Sequence, residues 1–186
     1  MREQPVKAYP TKVITKRVHR YALVISGKRI SLRLFDLDDL DFLLRWNNDP
    51  TYTGEFEPLE SVTREELEEW LYREKPGQLW YVILADGERV GQVVGRVQDD
   101  GSVQVGYRLI PSARGRGYAT DAVLALAYRL FSEGVSRVIA EANPRNIASI
   151  RVLERAGFRH VGYKEKAVEV NGVWLDGAVY ELTRDS

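Results

Sequence analysis

The chain has 186 residues, 44% hydrophobic and 29% charged, with 27 acidic side chains balancing 27 basic ones. A domain of this size buries roughly 70% of its unfolded surface, so there is apolar material for one core, and the charge balance excludes a generic attraction to nucleic acid. With no cysteine, disulfides, thiolate metal sites and a cysteine nucleophile are excluded; with no signal pattern in Met1 to Pro10 and no apolar run of about 20 residues, a cytoplasmic location is expected.

Residues 1–12 read as a polar, proline-punctuated arm ahead of a single domain over 13–186. Tyr21 to Ile25 and Ile30 to Phe35 are β-prone runs around Ser26-Gly27-Lys28, which predicts a hairpin whose second run is the better strand. Asp36 to Asp39 offers a helix start, Leu37, Leu40, Leu43, Leu44 and Trp46 follow at helical spacing, and Asn48-Asp49-Pro50 ends the element. After a loop to Leu59, Ser61 to Arg73 predicts a second helix with Leu67, Trp70 and Leu71 as its apolar stripe, stopped by Pro76-Gly77.

Leu79 to Ala85, Arg89 to Val97 and Ser102 to Ile110 read as three strands joined by Asp86-Gly87 and Asp99-Asp100-Gly101, an antiparallel meander. Gly115 to Phe131 predicts a long helix burying Ala119, Ala122, Val123, Leu126, Ala127 and Leu130, with Gly134 as terminator. Arg137 to Ala142 is a strand, Asn146 to Ala156 a helix, and Phe158 to Val170 and Val173 to Leu182 closing strands around Asn171-Gly172. The fold class is therefore mixed α/β (α+β): a central, mostly antiparallel seven-stranded sheet with four main helices, in which the 102–142 unit is parallel.

The chemistry concentrates where a strand runs into Arg114-Gly115-Arg116-Gly117-Tyr118-Ala119-Thr120 and opens a helix. First-turn N–H groups are unpaired and carry partial positive charge, so a pyrophosphate gains hydrogen bonds there, and the two glycines let the backbone approach. Arg114 and Arg116 are placed to add charge-assisted contacts. A nucleotide P-loop would need a glycine-lysine-serine or threonine end, which is missing. A dinucleotide fingerprint would want Gly or Ala where Thr120 stands, and a first glycine closer to the strand than Gly115. An arginine-glycine RNA-binding tract would be long and repetitive.

Arg114-x-x-Gly117-x-Ala119 resembles the acyl-CoA motif of the GNAT acetyltransferases, and Asn146 to Phe158 resembles their second motif; the likeness runs in order through residues 29–182. Lys28 to Arg33 before an acidic helix, Asn48-Asp49-Pro50 after it, and Ser149 resemble the ribosomal-protein alanine acetyltransferase branch, RimJ and RimL. The resemblance implies acetyl-CoA as co-substrate, no metal, and transfer to a primary amine by direct attack. A protein N-terminal α-amine is the leading acceptor; a polyamine or antibiotic amine, or a non-catalytic acyl-CoA-binding module, are the alternatives. It also implies that the backbone at Leu109 and Ile110 pairs with the pantetheine arm and supplies the oxyanion donor, and that Asn146 reaches the cofactor, a role compatible with a helix N-cap.

Aminolysis of a thioester needs a base for the ammonium and a proton for the departing thiolate. Glu141, at the end of its strand, is the candidate base, directly or through water; the other reading is a strand-end acid paired to an arginine. Many relatives place a tyrosine where this chain has Leu153, which makes Ser149 the candidate acid, with Tyr107 and Tyr163 as weaker ones. Residues 36–69 hold twelve acids against Arg45 and Arg64, and Glu55 and Glu57 fall in the loop that shapes acceptor sites in this family, so they are expected to bind the substrate. Residues 11–33 are basic without an acid, open to a ribosomal RNA contact or to edge protection; a homodimer is left open. His19 and His160 lack metal-ligand spacing.

Overall fold

The computed structural model describes residues 24–59, 61–72 and 77–184. The predicted arm at 1–12, the basic stretch up to Arg20, the first half of the Tyr21–Ile25 run and the Pro76 stop lie outside them. In chain order the described elements begin with β1 (Val24–Ser26), β2 (Ser31–Leu34), α1 (Leu40–Asn48), α2 (Pro50–Thr53) and α3 (Arg64–Tyr72). There follow β3 (Gln78–Ala85), β4 (Glu88–Val97), β5 (Val103–Leu109), α4 (Tyr118–Ser132), β6 (Arg137–Ala142), α5 (Ile147–Arg155), β7 (Arg159–Val170) and β8 (Val173–Thr183). They form one sheet in the order β1-β2-β3-β4-β5-β6-β8-β7.

The described sheet has eight strands rather than seven because both runs of the first hairpin pair, Val24 with Arg33 through Ser26 with Ser31. Gly27 N–H donates to Ile30 O at 2.8 Å and closes the turn. The unpredicted element is α2: Pro50, read as a stop, instead occupies the first helical turn, where its missing N–H costs nothing, and Asp49 caps the helix by accepting from Thr51 N–H.

Every ladder is antiparallel except β5 with β6, joined by the α4 crossover. That parallel pairing covers only Val103–Val138 and Gln104–Ile139. Beyond Gln104 the two strands part, while β5 stays paired to β4 as far as Leu109 and β6 to β8 as far as Ala142. The sheet is thus split at its centre.

One face of the sheet packs against α4 and α5: Tyr81, Ile83, Val93, Val103 and Val138 meet Ala122, Val123, Leu126, Leu130 and Leu153, all fully buried. The opposite face carries α1 and α3, whose Leu40, Leu43 and Leu67 form a smaller cluster backed by Phe35 and Trp70. Trp70 meets Trp80 of β3 edge to face at 5.9 Å.

Asp39 is fully buried beneath that second layer. It accepts from Arg33 Nη2 at 2.8 Å, Arg89 Nε at 2.7 Å and Asp36 N–H at 3.0 Å, tying β2, the turn before α1 and β4 together. Burial pushes its carboxyl up, but the hydrogen bonds from Arg33, Arg89 and the Asp36 amide outweigh that and leave it lowered. Since the folded group is the stronger acid, its contribution is present above the unfolded carboxylate range and is lost as pH falls through the folded value. Asp39→Asn should cost about 2–4 kcal/mol at pH 7, less than a fully buried pair because both arginines reach solvent. The difference from wild type should close below about pH 4 in urea unfolding curves; a gap that persists there would show the loss to be one of packing.

Candidate functional site

The split leaves β5 with a free edge. Ile110 N–H donates to Val90 O at 2.9 Å, and bonded positions alternate along an antiparallel strand, so Tyr107 and Leu109 turn their backbone groups toward the gap. Leu109 O accepts from Arg114 Nε at 3.1 Å, which leaves the Leu109 N–H facing the cleft. Ile110 differs from expectation: its N–H is spent on Val90 and its carbonyl accepts from Ala113 N–H at 3.0 Å. Its N–H is therefore not free for an oxyanion or a pantetheine carbonyl.

At the other end of the cleft, Gly115 and Gly117 both have positive φ, 75° and 79°. Gly117 is the N-cap of α4 and no side chain caps the helix, so the N–H groups of Tyr118, Ala119 and Thr120 remain open to an anion. The first-turn acid that might have competed, Asp121, faces away and holds the β1–β2 turn, accepting from Lys28 N–H at 2.9 Å and Arg29 N–H at 2.7 Å. Arg29 lies 5.8 Å from the Tyr118 ring centroid, and a Cβ on Gly117 would collide with its guanidinium. Arg114 is turned from the turn it precedes: besides Leu109 O it donates to Thr51 O and Tyr52 O at 3.1 and 3.0 Å, tying the end of α2 to β5.

A cavity of about 510 Å³ fills this cleft. It brings together the predicted residues Leu109, Arg114, Gly115, Gly117, Ala119, Thr120, Asn146, Ser149, Glu55 and Glu57, whereas Ile110, Arg116, Tyr118 and Glu141 do not line it. Asn146 caps α5 by accepting from Ser149 N–H at 3.1 Å, leaving its amide NH₂ as a donor. Sequence reasoning missed Arg151 and Arg155, which add positive charge to the cavity wall. Their i, i+4 spacing on one helix was the available signal.

A second cavity, about 460 Å³, opens on the opposite face beneath α1 and α3, between Trp70, Trp80, Asn47, Gln78 and Gln92. Tyr107, Arg108 and Glu57 line both cavities, which meet around the free edge of β5. Arg108 and Glu57 are ion-paired there. The Tyr107 hydroxyl lies 2.8 Å from Ser149 Oγ and 3.0 Å from Ser149 O. Burial raises the Tyr107 phenol, its hydrogen bond to Ser149 lowers it and the Glu57 charge raises it, leaving it pushed up to about 12.

Glu141 sits on the second-cavity side of the sheet: Gln104 pairs with Ile139, so by alternation Glu141 shares the face of Gly106 and Arg108 across the split. Its carboxylate accepts from Lys164 Nζ at 3.2 and 3.3 Å, not from an arginine. Among the described residues no His, Cys, Asp and Glu group could hold a metal ion, and no helix is long and apolar enough to cross a membrane.

A split sheet with an uncapped helix start beside the gap offers the donors that an acyl-CoA needs, and the model of the acetyltransferase (GNAT) domain matches residues 29–159. The chain belongs to the GNAT acetyltransferase family. It is a GNAT N-acetyltransferase with acetyl-CoA as co-substrate. The Bacillus subtilis protein named Probable N-acetyltransferase YjcK is 40% identical over 79 residues, 42% of this chain and 44% of that one. Mycobacterium smegmatis RimJ in complex with CoA-disulfide has a TM-score of 0.74 at 25% identity, over 87% of this chain and 88% of its own. The same fold recurs in a chimera of Vibrio cholerae spermidine N-acetyltransferase SpeG, with a TM-score of 0.73 at 19% identity over 85% and 97% of the two chains.

The residues present fit acetyl-CoA: open N–H groups at α4 for the diphosphate, Arg151 and Arg155 for further phosphate charge, and the Leu109 edge for the pantetheine arm. Gly117→Ala forces an L-residue into the left-handed region and against Arg29. By calorimetry its affinity for acetyl-CoA should fall at least about tenfold with the fold intact, whereas an unchanged affinity would remove the α4 turn from the phosphate site.

Proposed function

We propose that this GNAT enzyme acetylates protein N-terminal α-amines, by direct attack of the amine on acetyl-CoA in a ternary complex. The observation that carries the reading is the pair of cavities on opposite sheet faces meeting at Tyr107, Arg108 and Glu57, since both substrates can then be held at once. Cysteine is absent, so no thiol carries the acetyl group between them.

The lining of the second cavity favours a peptide over a polyamine. Its acidic side chain, Glu57, is already paired with Arg108; Arg96 adds a second cation, and Asn47, Gln78 and Gln92 offer carboxamides. A peptide N-terminus brings one ammonium followed by amide groups that carboxamides can bond, whereas an extended polycation would meet too little negative charge. Glu65, Glu66 and Glu69, which might have drawn such a cation, are exposed on the outer side of α3, away from the inward Leu67. An α-amine also asks less of a base: at pH 7 roughly one in seven is neutral, against roughly one in 2,500 for an amine of lysine type.

In this reading Glu57 orients the ammonium, Glu55 adds negative charge from the wall of the first cavity, and Glu141 removes the proton directly or through water. The Leu109 N–H takes the developing oxyanion and Ser149 hands a proton to sulfur. Two measurements test it. CoA release should be at least about tenfold faster in kcat/KM with peptides beginning in Ser, Ala or Asp than with spermidine or an aminoglycoside; the reverse order would replace the peptide by a small amine, and tight acetyl-CoA binding with no turnover on any acceptor would leave an acyl-CoA-binding module. Glu141→Gln should lower kcat at neutral pH about 100-fold and spare acetyl-CoA affinity. If the rate is unchanged, the base passes to the carboxylate that lines both cavities, Glu57.

A further inference from the structure

We infer that Tyr107 is a relay residue: with Ser149 it conducts the proton shed by the attacking amine nitrogen to the departing sulfur. The inference rests on the role given to Ser149 above and adds the group that connects it to the acceptor side. Ser149 lines the cofactor cavity alone, while Tyr107 lines both cavities. The Tyr107 hydroxyl bonds Ser149 at both Oγ and O, and Tyr107 belongs to the lining of both cavities.

The geometry gives the phenol two acceptors for one proton, Ser149 O at 3.0 Å and Ser149 Oγ at 2.8 Å. When the phenol donates to the carbonyl, the Ser149 hydroxyl donates back to the phenol oxygen and is turned from the cavity. When the phenol swings to Oγ, the serine proton is released toward the cofactor side. Tyr107 therefore sets the direction in which Ser149 can donate.

The acidities decide between a relay and a source. Burial and the charge of Glu57 hold the Tyr107 phenol at about 12 against the lowering effect of Ser149, so the relay is loaded throughout the neutral range. A thiol ordinarily ionises near about 8.5, so a phenol more than three units weaker cannot give up its proton to a thiolate and stay ionised. The proton must be replaced as it leaves. The bookkeeping closes: the amine nitrogen forms its bond to the acetyl carbon, the carbon–sulfur bond breaks with its electron pair on sulfur, and the Ser149 proton goes to sulfur. The Tyr107 proton follows to Ser149 Oγ, and the N–H proton of the new amide nitrogen restores the phenol, leaving amide and thiol with both side chains unchanged.

The test is single-turnover CoA release from the complex of enzyme with acetyl-CoA, with an N-terminal alanine peptide as acceptor and, separately, with water alone. Tyr107→Phe keeps the ring and should leave acetyl-CoA affinity within about twofold while slowing the peptide reaction about 30-fold. The double variant Tyr107→Phe/Ser149→Ala should be no slower than Ser149→Ala, and the curved dependence on deuterium fraction expected of wild type should become linear in Tyr107→Phe. A rate within about twofold of wild type, additive losses, or a curve that survives in Tyr107→Phe would each overturn the relay. The water reaction separates the two readings. If wild type leaves the peptide untouched but its slow hydrolysis of acetyl-CoA falls in Tyr107→Phe and not further in the double variant, the peptide reading fails and the relay stands.

Discussion

Everything functional in this molecule follows from the separation of β5 and β6 after two paired residues. A parallel pair whose ladder stops in mid-sheet exposes N–H and C=O groups that would be costly to bury unpaired. Here they border a cleft. The α4 crossover begins at that same point with its first amides uncapped, so one gap assembles a polar strand edge and an anion-binding helix start. Because no neighbouring strand seals the edge of β5 beyond Gln104, the cavities on the two faces of the sheet share Tyr107, Arg108 and Glu57 as lining.

Polar side chains with partners far along the chain keep the gap in shape. Asp121 fixes the β1–β2 turn over the start of α4, and Arg114 binds the last turn of α2 to the end of β5. Asp39 collects Arg33 and Arg89 beneath the second layer. Each replaces hydration by several charge-assisted bonds, stronger than neutral ones. Part of the acidic run after Asp36 is consumed by Arg33 and Arg89.

Much of the fold was legible because its signals are local. Alternation in the meander, Asp-Gly turns and the alanine-leucine stripe of α4 are properties of neighbours in sequence, and they place those elements within a few residues. The short β1 and the one-turn α2 were less legible, since three- and four-residue elements carry too little periodicity; β1 exists because β2 pairs with it, and α2 because Asp49 and Pro50 begin a turn that Arg114 then caps from β5's end. At the site, the glycine turn and Asn146 announced themselves by spacing. Tyr107, one of ten tyrosines, did not, because its meaning lies in a contact with Ser149, 42 positions away.

The sequence by itself determined the family and the co-substrate and marked a helix start with paired glycines and no capping side chain, since all of these are local chemical facts. Only the tertiary structure decided which polar groups remain for chemistry. Arg114 and Ile110 looked like cofactor ligands in one dimension, but Arg114 Nε and Nη2 are committed to Leu109, Thr51 and Tyr52, and the Ile110 N–H to Val90. Hydrogen-bonding capacity is finite, one proton per hydroxyl and one N–H per residue, and what is left over at a site is known only when every distant claim on it has been placed.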